Sequence, residues 1–319
     1  MGSEPTLPTF KDASPLRVGL IGLGAFGSKI ALRLLWSKFP TLSLYDVVDM
    51  YTRQFTGNNG GMAVGSPKML ADSCDIVVTV LPSARELRHV CLGWESLAKG
   101  FSNGGIVLDL GQTDPFETAS IGEELAAKGI YLVDAPAYGT PQQAREGKLT
   151  IIVGGADEAV ARCQPLLEVL GQRIIRAGMN GSAQAAGMLA DYQRAIELVA
   201  ASEVFHLGSR IGLQPSALLE IGECLRGMKA SPLVTDFLAS RTDAGIPLGV
   251  MRKSVEEAGQ IAERLGHTGG VIGAARAALA EAEATIGWGA DVASLVRWLE
   301  LRQPSETAAA QDQGPARAA

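Results

Sequence analysis

Histidine is scarce in this chain. His89, His206 and His267 are the only three in 319 residues, and none stands at a metal-ligand spacing or at a telling offset from an acid. Cysteine is nearly as rare: Cys74, Cys91, Cys163 and Cys224 lie far apart, with no C-x-x-C. No metal site is expected, and reduced thiols of a cytoplasmic protein are the simplest reading. Positive charge is also in deficit. Lys and Arg number 28 against 34 Asp and Glu, for a net charge of -6. That balance argues against nucleic acid or a membrane surface as partner. No apolar run is long enough to span a bilayer. Glu4, Pro5 and Pro8 occupy a region where a secretory leader would show basic and then apolar residues. Met1-Gly2-Ser3-Glu4-Pro5-Thr6 fits the loose myristoylation pattern, but a plain flexible start is the preferred reading.

What the chain does have is apolar content, 47% against 19% charged, over a length sufficient for two domains with real cores. Residues 1–14 read as a flexible tail. Short apolar runs then recur at Arg17–Ile21, Leu42–Tyr45, Ile76–Val80, Ile106–Leu108, Tyr131–Val133 and Ile151–Val153, and Arg173–Arg176 reads as a closing strand. Amphipathic stretches such as Ser28–Trp36 and Phe116–Lys128 separate several of them. This rhythm predicts crossover units and a mainly parallel, doubly wound α/β sheet. It stops near Ser182. Helical segments follow at Ala183–Leu207, Pro215–Leu225, Leu233–Ser240, Lys253–Leu265, Val271–Ala284 and Val292–Leu301, punctuated by Gly, Pro, Asn or Asp. The expectation is a Rossmann-type domain over 15–177, an all-α domain over 178–301 that starts with a long shared helix, and a disordered tail over 302–319.

The segment "RVGLIGLGAFGSKIA" places Gly22-x-Gly24-x-x-Gly27 after a strand and at the opening of a helix. Gly22 permits a tight turn. Gly24 lets backbone approach a pyrophosphate, and Gly27 lets helix and strand pack closely. With Leu23, Ala25 and Phe26 between them, these residues offer helix N–H groups and a positive dipole end to phosphates. The strand–turn–helix context makes the motif specific. Asp46 ends the next strand, where an acid accepts hydrogen bonds from ribose hydroxyls and repels a 2′-phosphate. NAD(H) is therefore favoured, with NADP(H) still open because Arg53 follows closely. Leu81 and Pro82 follow a strand, as do Gln112 and Thr113. Both loops belong at the carboxyl edge, beside the nicotinamide half.

Four segments, in order, resemble the β-hydroxyacid dehydrogenase superfamily, which includes 3-hydroxyisobutyrate dehydrogenases and imine reductases. They are "GLIGLGAFGSKIA", "DAPAYGTPQQAREGKLTIIVGG" at 134–155, "GSAQAAGMLADY" at 181–192, and "KSVEEAGQIAERLG" at 253–266 with the trailing "GWGADVASLVRWL". The second is the most specific. The resemblance implies a Rossmann-type domain, a helical domain, a homodimer or an assembly of dimers, and a small-molecule site in a cleft between the domains.

The chain also departs from that pattern. Family dehydrogenases carry Ser-Gly-Gly after D-A-P-x, to hold a carboxylate; here the residues are Tyr138, Gly139 and Thr140. The resemblance implies a catalytic lysine at position 187, where this chain has Gly187. Glycine inside a helix costs on the order of 1 kcal/mol relative to alanine, so something there needs room: a bulkier substrate, Tyr138 or the nicotinamide. Close helix packing is the plain alternative. Asp191 lies one helical turn on, facing the same way, as an acid, as a partner for a cationic substrate, or in a surface pair with Arg194. Lys253 matches the family's second lysine, near nicotinamide and substrate, as an anchor, a proton donor or an ion-pair residue.

Three functions follow. The first is an NAD(P)(H)-dependent oxidoreductase that moves a hydride to or from a small C=N or C=O compound. The second is a standard 3-hydroxyacid dehydrogenase using Lys253 or Tyr138 in place of the missing lysine. The third is a dinucleotide-binding sensor or partner protein without redox turnover. The Asp46 reading makes the first prediction: NADH should bind more tightly than NADPH in fluorescence or thermal-shift titrations. NADPH binding tighter by about tenfold would remove it.

Overall fold

The computed structural model describes residues 16–37, 39, 41–226, 246–267 and 270–302. Contacts divide the chain into two compact units, which meet at Gly187/Met188.

In the first unit, β1 (Val18–Ile21), β2 (Leu42–Tyr45), β3 (Met62–Ala63), β4 (Ile76–Thr79), β5 (Ile106–Asp109) and β6 (Tyr131–Asp134) pair in parallel. Every residue of β1, β4, β5 and β6 is buried. That is why these strands read as unbroken apolar runs: helices cover both faces of the sheet. Side chains alternate between two cores. Leu20, Val78, Leu108 and Val133 meet α1 (Gly27–Leu35) through Ile30 and Leu34 on one face. Val77, Val107 and Leu132 meet Leu70, Leu87 and Ile121 on the other. These three come from α3 (Pro67–Ser73), α4 (Ala84–Leu92) and α6 (Pro115–Ala126), which follow α2 (Asp49–Asn59) along the chain, with the short α5 (Leu97–Gly100) preceding α6. Ser66 and Asp114 cap the first turns of α3 and α6, each with proline at the opening.

The strand order is β3-β2-β1-β4-β5-β6-β8-β7, with β9 paired to β8. Winding reverses between β1 and β4, which opens a crevice at their carboxyl ends. Beyond β6 the sheet changes character. The chain bends at Ala135-Pro136 into β7 (Ala137–Tyr138), and β6 and β7 both run antiparallel to β8 (Leu149–Gly155). Helix α7 (Pro141–Glu146) lies between β7 and β8, and α8 (Asp157–Leu170) between β8 and β9 (Gly171–Gly178), which is parallel to β8. The sequence reading did not predict β3 or β7; two-residue strands are too short to show a period.

Helix α9 runs unbroken from Ser182 to Arg210 and crosses the boundary between the units. The second unit continues with α10 (Pro215–Arg226), α11 (Leu248–Arg264), α12 (Gly270–Ile286), a 3-10 turn (Val292–Ser294) and α13 (Leu295–Leu301). Among its described residues the only extended pairing is an isolated bridge, Pro247 with Asp291. Its core gathers Leu198, Met251, Val255, Leu279, Leu295 and Trp298. Helix α11 begins five residues before the Lys253 start read from the sequence, because Pro247 supplies its cap position. The anticipated helix at Leu233–Ser240 and the tails 1–14 and 303–319 lie outside the described residues.

Strand β5 ends on Asp109, which is fully buried. One carboxylate oxygen accepts a 2.7 Å hydrogen bond from Thr79 Oγ1; the other has no partner among the described residues. Its register neighbour on β6 is Asp134. Burial pushes the Asp109 carboxyl up to about 7, against the pull of Thr79 and the Gly111 N–H. An acid raised on folding binds its proton more tightly in the native state. Its contribution is full below the unfolded value of about 3.9 and is lost as pH rises through about 7. Asp109→Asn should therefore gain thermal stability relative to wild type as pH is raised from about 5 to about 8. Parallel melting curves with a constant gap would contradict this.

Candidate dinucleotide site

The turn after β1 is fixed by close contacts. Gly22 has φ +98°, and a Cβ there would lie 2.2 Å from the Val80 carbonyl oxygen. At Gly27 a Cβ would lie 2.0 Å from the carbonyl oxygen of Gly22. Neither position admits a side chain. Gly24 is the opposite case: it is exposed, and no heavy atom lies within 4 Å of where its Cβ would be. The turn is therefore tight at its base and open at its crown. No side chain caps the α1 start that follows, at Phe26 and Gly27; the Ser28 and Lys29 N–H groups donate to the Gly24 and Phe26 carbonyls, each at 3.0 Å. Leu23 is buried, whereas Ala25 is exposed.

Asp46 reaches back to this turn from the end of β2. One carboxylate oxygen accepts from the Leu23 N–H at 2.7 Å and the other from the Val48 N–H at 2.8 Å. Val47 and Val48 beside it are exposed apolar side chains. Arg53 pairs at 2.6 Å with Asp49, one helical turn away. Leu81 and Pro82 follow β4, and the Leu81 carbonyl oxygen would lie 2.9 Å from a Cβ on Gly111. The two carboxyl-edge loops thus touch. Gln112 is exposed and Thr113 is buried.

Two buried side chains with no role in the sequence reading hold this edge together. Gln184, in the first turn of α9, accepts from the Thr113 N–H at 3.0 Å and donates to the Gly111 carbonyl at 2.8 Å. Asp134 accepts from the Ala183 N–H at 3.1 Å and from Asn180 Nδ2 at 3.2 Å. It acts as a cap supplied from the sheet. Burial raises its pKa, while these donors oppose the rise. Both residues lie inside motif segments, at 134 and 184, but only the folded register brings them to one place.

Tyr138 and Gly187, distant in sequence, meet. A Cβ on Gly187 would lie 1.9 Å from the Tyr138 hydroxyl oxygen. Tyr138 ends β7, in register with Thr150, and the preceding Ala137 N–H donates to the Leu110 carbonyl at 3.3 Å. Gly139 follows at φ +151°. Thr140 then caps α7 reciprocally with Gln143.

In the second unit, Asp191 pairs with Arg194 at 3.4 Å, yet its side chain is only 14% exposed. Burial raises its pKa and Arg194 opposes the rise. The pair is thus not a freely solvated one. Lys253 is half-exposed and lies 3.7 Å from Glu257. Tyr192 packs against the helical core instead. Among the described residues no group of His, Cys, Asp or Glu forms a metal cluster, and no helix is long and apolar enough to cross a membrane.

Residues 17–178 match the family described as the NAD binding domain of 6-phosphogluconate dehydrogenase. The chain is 33% identical over 221 residues to mouse mitochondrial 3-hydroxyisobutyrate dehydrogenase, a match covering 69% of this chain and 65% of that enzyme. Among solved structures, Mycobacterium tuberculosis 3-hydroxyisobutyrate dehydrogenase with L-serine superposes with a TM-score of 0.81 at 20% identity, over 90% of this chain and 99% of that one. An imine reductase variant from Myxococcus stipitatus in complex with NAD+ gives a TM-score of 0.55 at 18% identity, over 90% of this chain and all of that one. These two share the fold. The glycine turn, the carboxyl-edge crevice and this domain match agree: the chain belongs to the family of the 6-phosphogluconate dehydrogenase NAD binding domain.

Proposed function

We propose that this protein is an NAD(P)(H)-dependent oxidoreductase that transfers a hydride to or from a small C=N or C=O compound. The observation that carries the reading is the Gly22–Gly27 turn. Its two flanking glycines are sterically compelled, and its exposed central glycine precedes a helix start that no side chain caps. That combination suits a pyrophosphate, which needs close backbone approach and N–H donors. Bound there, the nicotinamide would supply the hydride and take it back.

The chain's own residues do the rest. Gly22, Leu23, Gly24, Ala25, Phe26 and Gly27 hold the phosphates. Asp46, fixed by the Leu23 and Val48 N–H groups, keeps lone pairs for ribose hydroxyls. The exposed valines after it carry no charge to neutralise a 2′-phosphate, and Arg53 is engaged by Asp49; both features support NAD(H). Leu81, Pro82, Gln112 and Thr113 flank the nicotinamide half. Tyr138, Gly139 and Thr140 replace a carboxylate cradle with a phenol and a helix cap. Asp191 favours a cationic acceptor such as an iminium ion, which arrives already protonated. Lys253 contacts the nicotinamide or an acceptor's anionic group. The dinucleotide domain spans 15–177 and the helical domain 178–301, and the protein works in the cytoplasm as a homodimer or an assembly of dimers.

A second reading, oxidation of a 3-hydroxyacid, draws on the 33% identity to the mouse enzyme of that name. A panel of cyclic imines, amine-plus-ketone pairs and short 3-hydroxyacids separates the two. NADH oxidation with the imines or ketones is expected, and activity confined to 3-hydroxyacids would replace the first reading by the second. Asp191→Asn should raise KM for cationic acceptors by about tenfold with kcat little changed. Because burial raises the Asp191 pKa, this binding advantage should grow as pH rises through that value. A fall in kcat at constant KM would instead make Asp191 the proton donor.

A further inference from the structure

Glycine in the body of a long helix calls for a local reason, and at Gly187 the structure supplies one. The residue is buried, and the atom nearest its missing Cβ is the hydroxyl oxygen of Tyr138, at 1.9 Å, with the ring carbon that bears it at 2.9 Å. A hydroxyl tip therefore occupies the space that a side chain at 187 would need. Tyr138 is held from its other end as well. Its backbone lies in register with Thr150 on β8. At Gly139 a Cβ would come within 2.7 Å of Leu149 and 3.0 Å of Gln143 Oε1. The capping box of Thr140 and Gln143 then starts α7. Strand, glycine and helix cap together hold the backbone that carries the phenol.

The position is pertinent to the chemistry. Ala137, the neighbour of Tyr138, donates to Leu110, and Leu110 leads into the Gly111–Thr113 loop that Gln184 clamps. The phenol root therefore sits beside the carboxyl-edge loop assigned to the nicotinamide half. We propose that the Tyr138 hydroxyl, seated against the bare backbone of Gly187, is the catalytic group that exchanges a proton with the heteroatom of the hydride acceptor.

This rests on the oxidoreductase reading above. In reduction of a carbonyl, a bound NAD(P)H would supply the hydride for the new C–H bond and be oxidised to NAD(P)+, and the C=O π pair would move to oxygen. That oxygen takes the proton of the phenol, whose O–H bond breaks. The Tyr138 phenolate then recovers a proton from water. An iminium acceptor needs no proton in the hydride step, so the phenol then only orients the nitrogen. A neutral donor suits both acceptors, since it adds no positive charge to repel the iminium ion.

The test uses the full-length protein, with NADH binding by thermal shift as a check on each variant. Tyr138→Phe should bind NADH as wild type does, but lose about 10²-fold or more in kcat for carbonyl acceptors, while iminium reduction falls by less than about tenfold. The alkaline limb that a phenol donor imposes on the carbonyl pH profile should vanish. Gly187→Ala should also lower carbonyl turnover, and should add little when combined with Tyr138→Phe, because both act on one hydroxyl. Wild-type turnover matched by Tyr138→Phe, or kept in Gly187→Ala, would overturn the donor and leave the oxidoreductase reading intact. A wild type that binds NADH but oxidises it with none of the acceptors would overturn both.

Discussion

A buried carboxylate and a buried carboxamide set the geometry on which the rest depends. Asp134, at the end of β6, receives the first N–H groups of α9. Gln184, in that same first turn, is bonded at both ends of its amide to the loop after β5. Helix start, sheet edge and loop are thereby tied into one piece. An unpaired buried amide costs roughly 1–3 kcal/mol per lost partner, so the ties hold each other in place. Because α9 begins at a fixed point, its sixth residue falls beside the phenol of Tyr138 and nowhere else.

The carboxyl ends of the strands also collect acidic side chains. Asp46, Asp109 and Asp134 end three different strands or follow directly on them. Each is treated differently by its surroundings. Asp46 is half-buried and tied to two backbone N–H groups. Asp134 is buried but faces a helix N-terminus, which favours its negative charge. Asp109 is buried with one oxygen unanswered. Of the three, Asp109 and Asp134 are register neighbours, and the charge of Asp134 adds to the burial that raises the Asp109 carboxyl.

Much of this was legible in the sequence, for a definite reason. Strands buried on both faces are unbroken apolar runs, and Val18–Ile21, Ile76–Thr79 and Ile106–Asp109 show as such without any partner. The glycine turn was legible because three glycines at fixed spacing have few other uses. The meeting of Tyr138 with Gly187 was not. The sequence shows a missing side chain and a large one, in separate segments, and names the tyrosine only as one of three claimants to the space. Which claimant holds it depends on the bend at Ala135-Pro136, which swings β7 along β8. Two-residue strands like β7 leave no periodic trace. Gln184 stayed unread for a similar cause, since an amide gains its role only when both of its partners arrive from another loop.

The notch at Gly187 has a bearing on how such a site can change over time. Any side chain placed at 187 meets a hydroxyl oxygen already in its path, while trimming Tyr138 first would leave a hollow beside a bare helix. Descent between this arrangement and one with a long side chain at 187 must therefore pass through an intermediate that is either crowded or hollow, and the order of the two replacements decides which.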